Sequence, residues 1–328
     1  MTPVDVLHDV DAAVALLAAG HLCAIPTETV YGLAAIATNP NAVARVFEAK
    51  GRPSDHPLIV HVADVACVGE WIAELPEWAV VLTNAVWPGP LTIVGPRTQL
   101  ATNDITGGQD TVAVRVPAHP LALALLRKLR ERSILGLVAP SANSFGHVSP
   151  TTAGHVNDEL GTYLSEHGDA ILDGGPCQVG VESTIVLATG DEPIILRPGA
   201  ITQEDIERIT GVQVAEATGE APRVSGALAS HYAPAAQVML VNAEQLENLG
   251  DAQKTAGLIA LASVPTPVGF TRLCAAKTAN EFAAQLYSAM READQEKISV
   301  IYVVAPSGTG IERAIADRLA RASAQVRG

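Results

Sequence analysis

Short apolar segments alternate with helical segments along most of this chain, and that alternation limits its fold more than any other feature of the sequence. The segments Leu22–Ile25 and Leu58–Val62 are short, apolar and strand-like. Helices are predicted before each of them, over Val10–Ala19 and Pro40–Lys50. Strands and helices that alternate in this way are typical of α/β proteins, in which helices pack on the faces of a largely buried sheet.

The alternation continues, stops at a stretch without any period, and then resumes. Further strands are predicted over Leu91–Val94, Thr111–Val116, Leu135–Ala139, Ser183–Leu187 and Ile194–Leu196, with a helix over Pro120–Arg132. Residues 215–236 are rich in Ala, Gly, Pro and Ser and have no helical or strand period, which predicts a linker. Strands and helices alternate again from residue 237 onwards. We therefore predict one domain over residues 1–214 and a second over residues 237–328, joined by this linker.

Composition argues against several classes of protein. Of the 328 residues, 48% are hydrophobic, and the formal net charge is −14. Such a chain can bury a large core, but it lacks the basic surface that broad, non-specific nucleic-acid binding requires. Its cysteines are far apart and predict reduced core thiols, with no disulfide framework or zinc site: Cys23, Cys67, Cys177 and Cys274. The apolar run over residues 10–19 contains Asp11 and is too short to span a bilayer, so we expect a cytoplasmic protein with no membrane partner.

Polar residues directly follow two of the predicted strands, and two cations end one predicted helix. Thr27–Thr29 follow the first strand, and Ser141 and Asn143 follow the strand that ends at residue 139. Ligands of α/β proteins bind at the carboxyl ends of strands. Lys50 and Arg52 form a fork of two cations that suits a polyanion. A purely structural role is also open to both, because cations are favourable at a helix C-terminus.

Three further candidates each leave an alternative. Arg115 lies in a strand that alternates with period two, so its side chain either reaches solvent or meets an anion inside a cleft. His61 lies in an apolar strand, where a histidine is more often a core residue than a ligand. The segment Gly175–Gly180 imitates the start of a phosphate-binding P-loop, but Val181 stands where that motif requires lysine, and a strand follows in place of a helix. We reject a P-loop here.

Taken together, these segments closely resemble the Sua5/YrdC family, and specifically its two-domain Sua5 form. The family's Lys-x-Arg and Ser-x-Asn tetrad corresponds to Lys50, Arg52, Ser141 and Asn143. Its other motifs correspond to Pro26–Leu33, Lys50–His61, Pro88–Thr92, Gly180–Ile185 and, in the linker, His231–Pro234. The resemblance extends over the whole chain and includes the C-terminal unit.

This resemblance implies both a fold and a reaction. For the fold it implies a YrdC-like, twisted and open mixed sheet with flanking helices, followed by a small Rossmann-like parallel α/β domain. For the reaction it implies a threonylcarbamoyl-AMP synthase, which makes L-threonylcarbamoyl-adenylate and pyrophosphate from L-threonine, bicarbonate and ATP, as the first step of the t6A modification of tRNA. Mg²⁺ would arrive with the ATP phosphates and would have no site built from protein ligands alone. Separate t6A transfer machinery would take the product, and a contact with tRNA is open but not required.

The resemblance also implies roles for individual residues. Lys50 and Arg52 are the expected catalytic residues, which hold the triphosphate and stabilise the leaving pyrophosphate. Arg115 is expected to bind the threonine carboxylate as a bidentate pair. The other residues expected at threonine are Thr29, His61, Ala139 and Ser183. The residues expected at ATP are Arg52, His56, Thr111, Ser141, Asn143, Ser149, Arg197 and Tyr232, the last folding over the nucleotide from the linker.

Two other functions compete with this one. The first is an RNA-binding or ribosome-associated module without turnover, against which the acidic balance of the chain weighs. The second is a carbamoyl-transfer module like those of multidomain relatives. Against it stand the absence of acylphosphatase-like or zinc-knuckle segments and the presence of a Sua5-type C-terminal unit.

Overall fold

The protein is built around two β-sheets. A computed structural model of it describes residues 3–217, 221–226, 232–249 and 256–324. The strands of the larger sheet come from the first two hundred residues, and the strands of the smaller sheet follow the linker. The predicted α/β fold, with a mixed sheet and then a parallel one, is confirmed. The exact domain limits stay a prediction.

The larger sheet has ten strands and is mixed. These are β1 (Asp5–Leu7), β2 (Cys23–Ile25), β3 (Gly32–Ile36), β4 (Ile59–His61), β5 (Leu91–Pro96), β6 (Thr111–Arg115), β7 (Leu137–Val138), β8 (Ala170–Leu172), β9 (Thr184–Leu187) and β10 (Ile194–Arg197). They lie in the order β1-β8-β2-β3-β7-β4-β6-β5-β9-β10. The pairs β1–β8, β8–β2, β4–β6 and β5–β9 are parallel, and the other neighbours are antiparallel.

The helices of the first domain begin and end at residues that favour such positions. They are α1 (Val10–Ala18), α2 (Pro40–Lys50), α3 (Glu77–Val86), α4 (Asn103–Thr106), α5 (Pro120–Glu131), α6 (Ala153–Glu166) and α7 (Gln203–Thr210), with a 3₁₀ helix over Val65–Glu70. Asp9 caps α1, because its side chain accepts a hydrogen bond from the Asp11 N–H. Gly51 ends α2 with a φ of 61°, a left-handed conformation that glycine adopts easily. Both ends were predicted.

The smaller sheet is parallel throughout. Its strands β11 (Gln237–Leu240), β12 (Ala256–Leu261), β13 (Thr271–Ala276) and β14 (Val300–Val304) lie in the order β11-β14-β12-β13. Its helices are α8 (Ala243–Glu247), α9 (Ala279–Gln295) and α10 (Glu312–Ser323). The predicted parallel α/β unit is therefore confirmed, although the prediction omitted β13.

The prediction also missed β1, β3, β8, α4, α6 and α7. The strand β3 reads Gly-Leu-Ala-Ala-Ile, and its small residues have little β propensity, so only pairing with β2 and β7 makes it a strand.

The two domains share a hydrophobic cluster. Val30 and Val181 of the first domain belong to the same buried group as Phe282, Leu286 and Ile315 of the second. The described residues of the predicted linker, 215–217, 221–226 and 232–236, form no helix or strand. No helix in the described part of the chain is long and apolar enough to cross a membrane.

The cap of α2 gives a test of this local structure. The Asn39 side chain accepts hydrogen bonds from the N–H groups of Asn41 and Ala42 at 3.1 and 3.2 Å. We expect Asn39→Ala to lower the free energy of unfolding by about 1 kcal/mol, measured by urea denaturation. The control Asn41→Ala, at an exposed position of the same helix, should change it by less than about 0.5 kcal/mol. Equal effects of the two variants would contradict the cap.

Candidate active site

A cavity of about 50 Å³ lies where short strands of the larger sheet meet the linker. Nine of the residues predicted for the site line it: Thr29, Arg52, His61, Arg115, Ala139, Ser141, Ser183, Arg197 and Tyr232. Six other residues line it that the sequence analysis did not assign to the site: Val30, Ile59, Pro140, Glu182, Ser225 and Gly226. Three arginines thus face one cavity inside an acidic protein.

The arrangement of β4, β6 and β7 explains why these side chains meet. His61 ends β4 and is paired with Arg115, which ends the parallel neighbour β6. The strand β7 runs antiparallel to β4, so Ala139 lies beside the beginning of β4, where its N–H donates to the Ile59 carbonyl, and Ser141 is bridged to Gly32 at the beginning of β3. The cavity therefore extends along these short strands. The prediction placed it at the carboxyl ends alone, because the antiparallel direction of β7 was not visible in the sequence.

Arg115 is held inside the protein by the segment that follows β2. Its Nη2 donates to Glu28 Oε1 at 2.7 Å, and its Nη1 donates to Thr29 Oγ1 at 2.9 Å. The other oxygen of Glu28 accepts the N–H of Ala118 at 3.0 Å. Only 4% of Arg115 is exposed, so its guanidinium lies in the cleft and does not reach solvent. Its Nε has no acceptor among the described residues.

The imidazole of His61 is neutral at physiological pH. Burial and the charge of Arg115 lower the pKa of His61 to about 3. Its Nδ1 lies 3.2 Å from the carbonyl oxygen of Ile59. A proton on Nδ1 would be donated to that carbonyl and would leave Nε2 as an acceptor. His61 is thus both a buried residue and part of the cavity wall.

The linker residue Ser225 connects the two other arginines of the cavity. Arg197 donates from Nε and Nη2 to the Ser183 carbonyl at 3.1 and 2.9 Å, and from Nη1 to the Ser225 carbonyl at 2.8 Å. Arg52 donates from Nη2 to Ser225 Oγ at 3.0 Å and to the Pro57 carbonyl at 2.9 Å. The Nε of Arg52 lacks an acceptor within the described part of the chain. Backbone carbonyls thereby fix both guanidinium groups. No carboxylate is among the acceptors in these contacts, so the contacts do not neutralise the positive charges.

The four residues of the Lys-x-Arg and Ser-x-Asn motifs lie together, but two of them stand behind the cavity wall. Lys50 Nζ donates to the carbonyls of Ser141 and Asn143, each at 2.5 Å, and only 3% of Lys50 is exposed. The Asn143 amide donates to two further carbonyls of the same loop. Lys50 and Asn143 therefore hold the loop that presents Ser141, while Arg52 and Ser141 face the cavity.

Glu182 supplies a carboxylate to the cavity wall, and the second domain holds it. Its Oε2 accepts from Arg318 Nε at 2.8 Å and from the Tyr287 hydroxyl at 2.9 Å. Its Oε1 accepts from Ser149 Oγ at 2.6 Å, so Ser149 reaches the wall without lining the cavity. Burial by itself would raise the pKa of Glu182, but the charges of Arg318 and Arg197 hold that pKa at about 2.

Besides Asn143 and Ser149, two more of the residues predicted at ATP do not line this cavity. The ring of His56 packs edge-on against Phe145, with 5.3 Å between the ring centroids. Thr111 lines a neighbouring cavity of about 10 Å³, which shares Ser225 with the main one. Neither residue is in contact with the cavity as it stands in this structure.

Tyr232 closes the cavity on the linker side. Only 1% of it is exposed, and its ring stacks on Tyr287 with 5.6 Å between the centroids. Its hydroxyl lies so near Gly226 that a Cβ on Gly226 would approach it to 2.1 Å, so only glycine fits there. His231, which precedes it in the predicted linker motif, lies outside the described residues.

The donor groups near the cavity do not form a metal site of protein ligands. The described residues contain no group of three His, Cys, Asp or Glu side chains that could hold a metal ion. The nearby carboxylates of Glu28 and Glu182 are both paired with arginines, Arg115 and Arg318. The expectation that Mg²⁺ comes with ATP stays a prediction.

The sequence analysis missed the residues that position the predicted ones. Glu28 and Glu182 both lie inside motifs of the family, directly before residues assigned to the site. This adjacency is a sequence signal that could have placed them near the site. Ser225 was noted only as part of the linker. Tyr287 and Arg318 belong to helices of the second domain and had no signal, because an arginine on an amphipathic helix is ordinarily solvated.

Comparisons with known proteins agree with this description. A family model described as "Telomere recombination", for the Sua5–YciO–YrdC domain, matches residues 15–199. A second, described as "Threonylcarbamoyl-AMP synthase, C-terminal domain", matches residues 201–324. The protein named threonylcarbamoyl-AMP synthase in Pyrococcus abyssi is 39% identical over 322 residues, which cover 93% of this chain and 91% of that protein. The protein of the same name in Bacillus subtilis is 39% identical over 325 residues, with 95% and 92% covered.

A solved structure has the same fold over both domains. The crystal structure of P. abyssi Sua5 in complex with L-threonine superposes with a TM-score of 0.85, at 36% identity and with 98% of each chain covered. The resemblance inferred from the sequence motifs is thereby confirmed. The chain belongs to the Sua5/YrdC family, in its two-domain Sua5 form.

Proposed function

We propose that this protein is a threonylcarbamoyl-AMP synthase, which converts L-threonine, bicarbonate and ATP into L-threonylcarbamoyl-adenylate and pyrophosphate. The observation that carries the proposal is the convergence of Arg52, Arg115 and Arg197 on one cavity that also contains hydroxyl groups and a neutral histidine. Relatives that bear this name are 39% identical over more than nine-tenths of the chain, and one of them was crystallised with L-threonine.

The threonine end of the site is proposed at Arg115. Glu28 and Thr29 occupy its two terminal nitrogens, and its Nε still lacks an acceptor among the described residues. A carboxylate oxygen in the cavity would supply that acceptor in a charge-assisted hydrogen bond. The hydroxyl of Ser183 and the neutral ring of His61 line the same cavity and are proposed to orient the threonine side chain and its hydroxyl.

The nucleotide end is proposed at Arg52 and Arg197. Threonine and bicarbonate combine to a carbamate with loss of water: the amine nitrogen bonds to the bicarbonate carbon as the carbon–hydroxyl bond breaks. One oxygen of the carbamate then attacks the α-phosphorus of ATP. The bond from carbamate oxygen to phosphorus forms as the bond to the leaving pyrophosphate oxygen breaks. Such a displacement needs positioning and charge neutralisation more than covalent help from the protein. Arg52 and Arg197, rigidly held by carbonyls, are proposed to supply that neutralisation, and Lys50 to keep the Ser141 loop in place beside them.

Mg²⁺ is proposed to enter as the counterion of the ATP phosphates, since the residues that the structure describes contain no group of three side chains that could hold a metal ion. The product is proposed to leave for the transfer machinery that modifies tRNA, in the cytoplasm.

The linker is proposed to act as a lid. The cavity measures about 50 Å³, far below the roughly 300–1,000 Å³ of pockets that take drug-sized ligands. ATP therefore cannot enter while Ser225, Gly226 and Tyr232 form its wall. Opening of the linker would admit the substrates, and its closure would keep water from the labile mixed anhydride.

The reaction itself gives the first test. The purified protein should release pyrophosphate only when threonine, bicarbonate and ATP are all present. Arg52→Ala should lower that release by at least about a hundred-fold, because a buried charge at the reacting phosphates is lost. The matched control Arg208→Ala removes an arginine that is 69% exposed on α7 and should leave the rate within about two-fold.

Two outcomes would oppose this proposal. Release of pyrophosphate that does not depend on threonine would show a different activity. Loss of the folded state in Arg52→Ala, measured by circular dichroism, would assign that residue a structural role.

The lid makes a second prediction. Tyr232→Ala should increase the fraction of threonylcarbamoyl-adenylate that is released and hydrolysed, because the cavity loses its wall on the linker side. Quenched samples analysed by chromatography give the amounts of intermediate and AMP. Tyr163→Ala, on a helix that does not line the cavity, serves as the control. A Tyr232→Ala protein that makes and retains the intermediate as the parent does would rule out the lid.

The neutral state of His61 makes a third prediction. Since its pKa is lowered to about 3, His61 does not gain a proton between about pH 8 and about pH 6, where an ordinary histidine would. Threonine affinity, measured by calorimetry, should therefore change by less than about two-fold over that range. A fall in affinity with a midpoint near the usual histidine pKa would contradict the neutral ring.

A further inference from the structure

One side chain of the second domain contacts three parts of the cavity wall. Arg318, on α10, is fully buried. Its Nε donates to Glu182 at 2.8 Å and its Nη2 to the Pro198 carbonyl at 3.1 Å, while its Cζ lies 5.2 Å from the centre of the Tyr232 ring. Glu182 and Tyr232 line the cavity, and Pro198 directly follows Arg197, which also lines it.

Arg318 itself does not line the cavity, so it can influence the reaction only through the residues it holds. Its guanidinium is a rigid fork, and each contact fixes a different segment: the loop before β9, the end of β10 and the linker. A buried arginine needs such partners, because burial of an unpaired charge is strongly unfavourable. Tyr287 of α9 adds a second hydrogen bond from the same domain to Glu182.

The contacts are unequally distributed between the two ends of the site. Arg197 and Tyr232, both assigned to the nucleotide, are neighbours of groups that Arg318 holds. Arg115, assigned to threonine, is held instead by Glu28 and Thr29 within the first domain. Ser183, assigned to threonine, directly follows Glu182, but Arg115, which is proposed to bind the threonine carboxylate, has no contact with Arg318. The polar contacts of Arg318 therefore reach mainly the nucleotide end.

We propose that Arg318 is a positioning residue, through which the C-terminal domain sets the geometry of the nucleotide end of the active site. This inference rests on the function proposed above. It gives the second domain a defined part in the reaction although none of the described residues of that domain lines the cavity. It also predicts that loss of Arg318 raises KM for ATP and leaves the affinity for threonine nearly unchanged.

The test compares Arg318→Met with Arg313→Ala. Arg313 lies on the same helix and also reaches the first domain, where it donates to Gln203 at 2.8 Å, but its side chain is 49% exposed and does not line the cavity. For Arg318→Met we expect a higher KM for ATP and a lower kcat for pyrophosphate release, so that kcat/KM for ATP falls by about ten-fold or more. The affinity for threonine should stay within about two-fold of that of the parent. Arg313→Ala should match the parent in all of these.

Binding measurements make the outcome independent of turnover. Calorimetry measures the binding of L-threonine and, in the presence of threonine, the binding of a non-hydrolysable ATP analogue. In Arg318→Met only the affinity for the analogue should fall, and the affinity for threonine should not. If the parent releases no pyrophosphate, the proposed function fails, while the two binding constants still test the positioning role.

A variant that does not fold is provided for. Arg318→Met leaves the carboxylate of Glu182 buried without the guanidinium with which it is paired, and this can unfold the protein. If the single variant is unfolded, the double variant Glu182→Gln/Arg318→Met, which also removes the carboxylate charge, is compared with the parent in its place. The proposal is overturned if the folded variant binds the analogue and turns over like the parent. It is equally overturned if threonine and nucleotide binding fall together, since that result indicates a general structural role.

Discussion

Burial of positive charge is the constraint on which this structure depends. Four arginines and a lysine around the active site are at most 8% exposed: Lys50, Arg52, Arg115, Arg197 and Arg318. Each would be strongly unfavourable in an apolar interior without acceptors. Carboxylates meet two of them, Arg115 and Arg318, and carbonyl oxygens meet the other three. A carbonyl satisfies hydrogen bonds without cancelling charge, so Arg52 and Arg197 stay electrostatically available to an anion.

This division of partners explains how an acidic protein can present a site for a polyanion. The net charge of −14 is spread over the whole chain, and exposed charges are screened by salt over about 8–10 Å. The charges that face the cavity are buried and are screened much less. Local geometry therefore decides the affinity for phosphate, whereas the acidic overall balance disfavours only broad, non-specific binding of nucleic acid to the rest of the surface.

How much of this was predictable depends on the range of the interactions. Helix ends at Asp9 and Gly51 follow from local capping, and were predicted correctly from neighbouring residues. Six of the nine predicted lining residues lie inside motifs of the family, because a motif already records which residues act together, whereas Arg115, Ala139 and Arg197 lie outside those motifs. What failed was pairing at a distance: β3, made of small residues, owes its conformation to its partners, and the antiparallel course of β7 shifted the cavity along β4.

The largest gap concerns the second layer of the site. Nothing near Arg318 in the sequence indicates that its side chain is buried against Glu182, 136 positions earlier in the chain. A motif names residues that face a ligand, but the residues that hold them can come from any element that packs behind. Here that element belongs to another domain. Because a buried ion pair specifies geometry more than it adds stability, its presence between two domains favours a role in alignment over one in simple attachment. Attachment is already supplied by the apolar cluster around Phe282, Leu286 and Ile315. The apolar cluster can hold the two domains together. The ion pair between Arg318 and Glu182, which is directional, can then fix how the linker and the strand ends meet around the substrates.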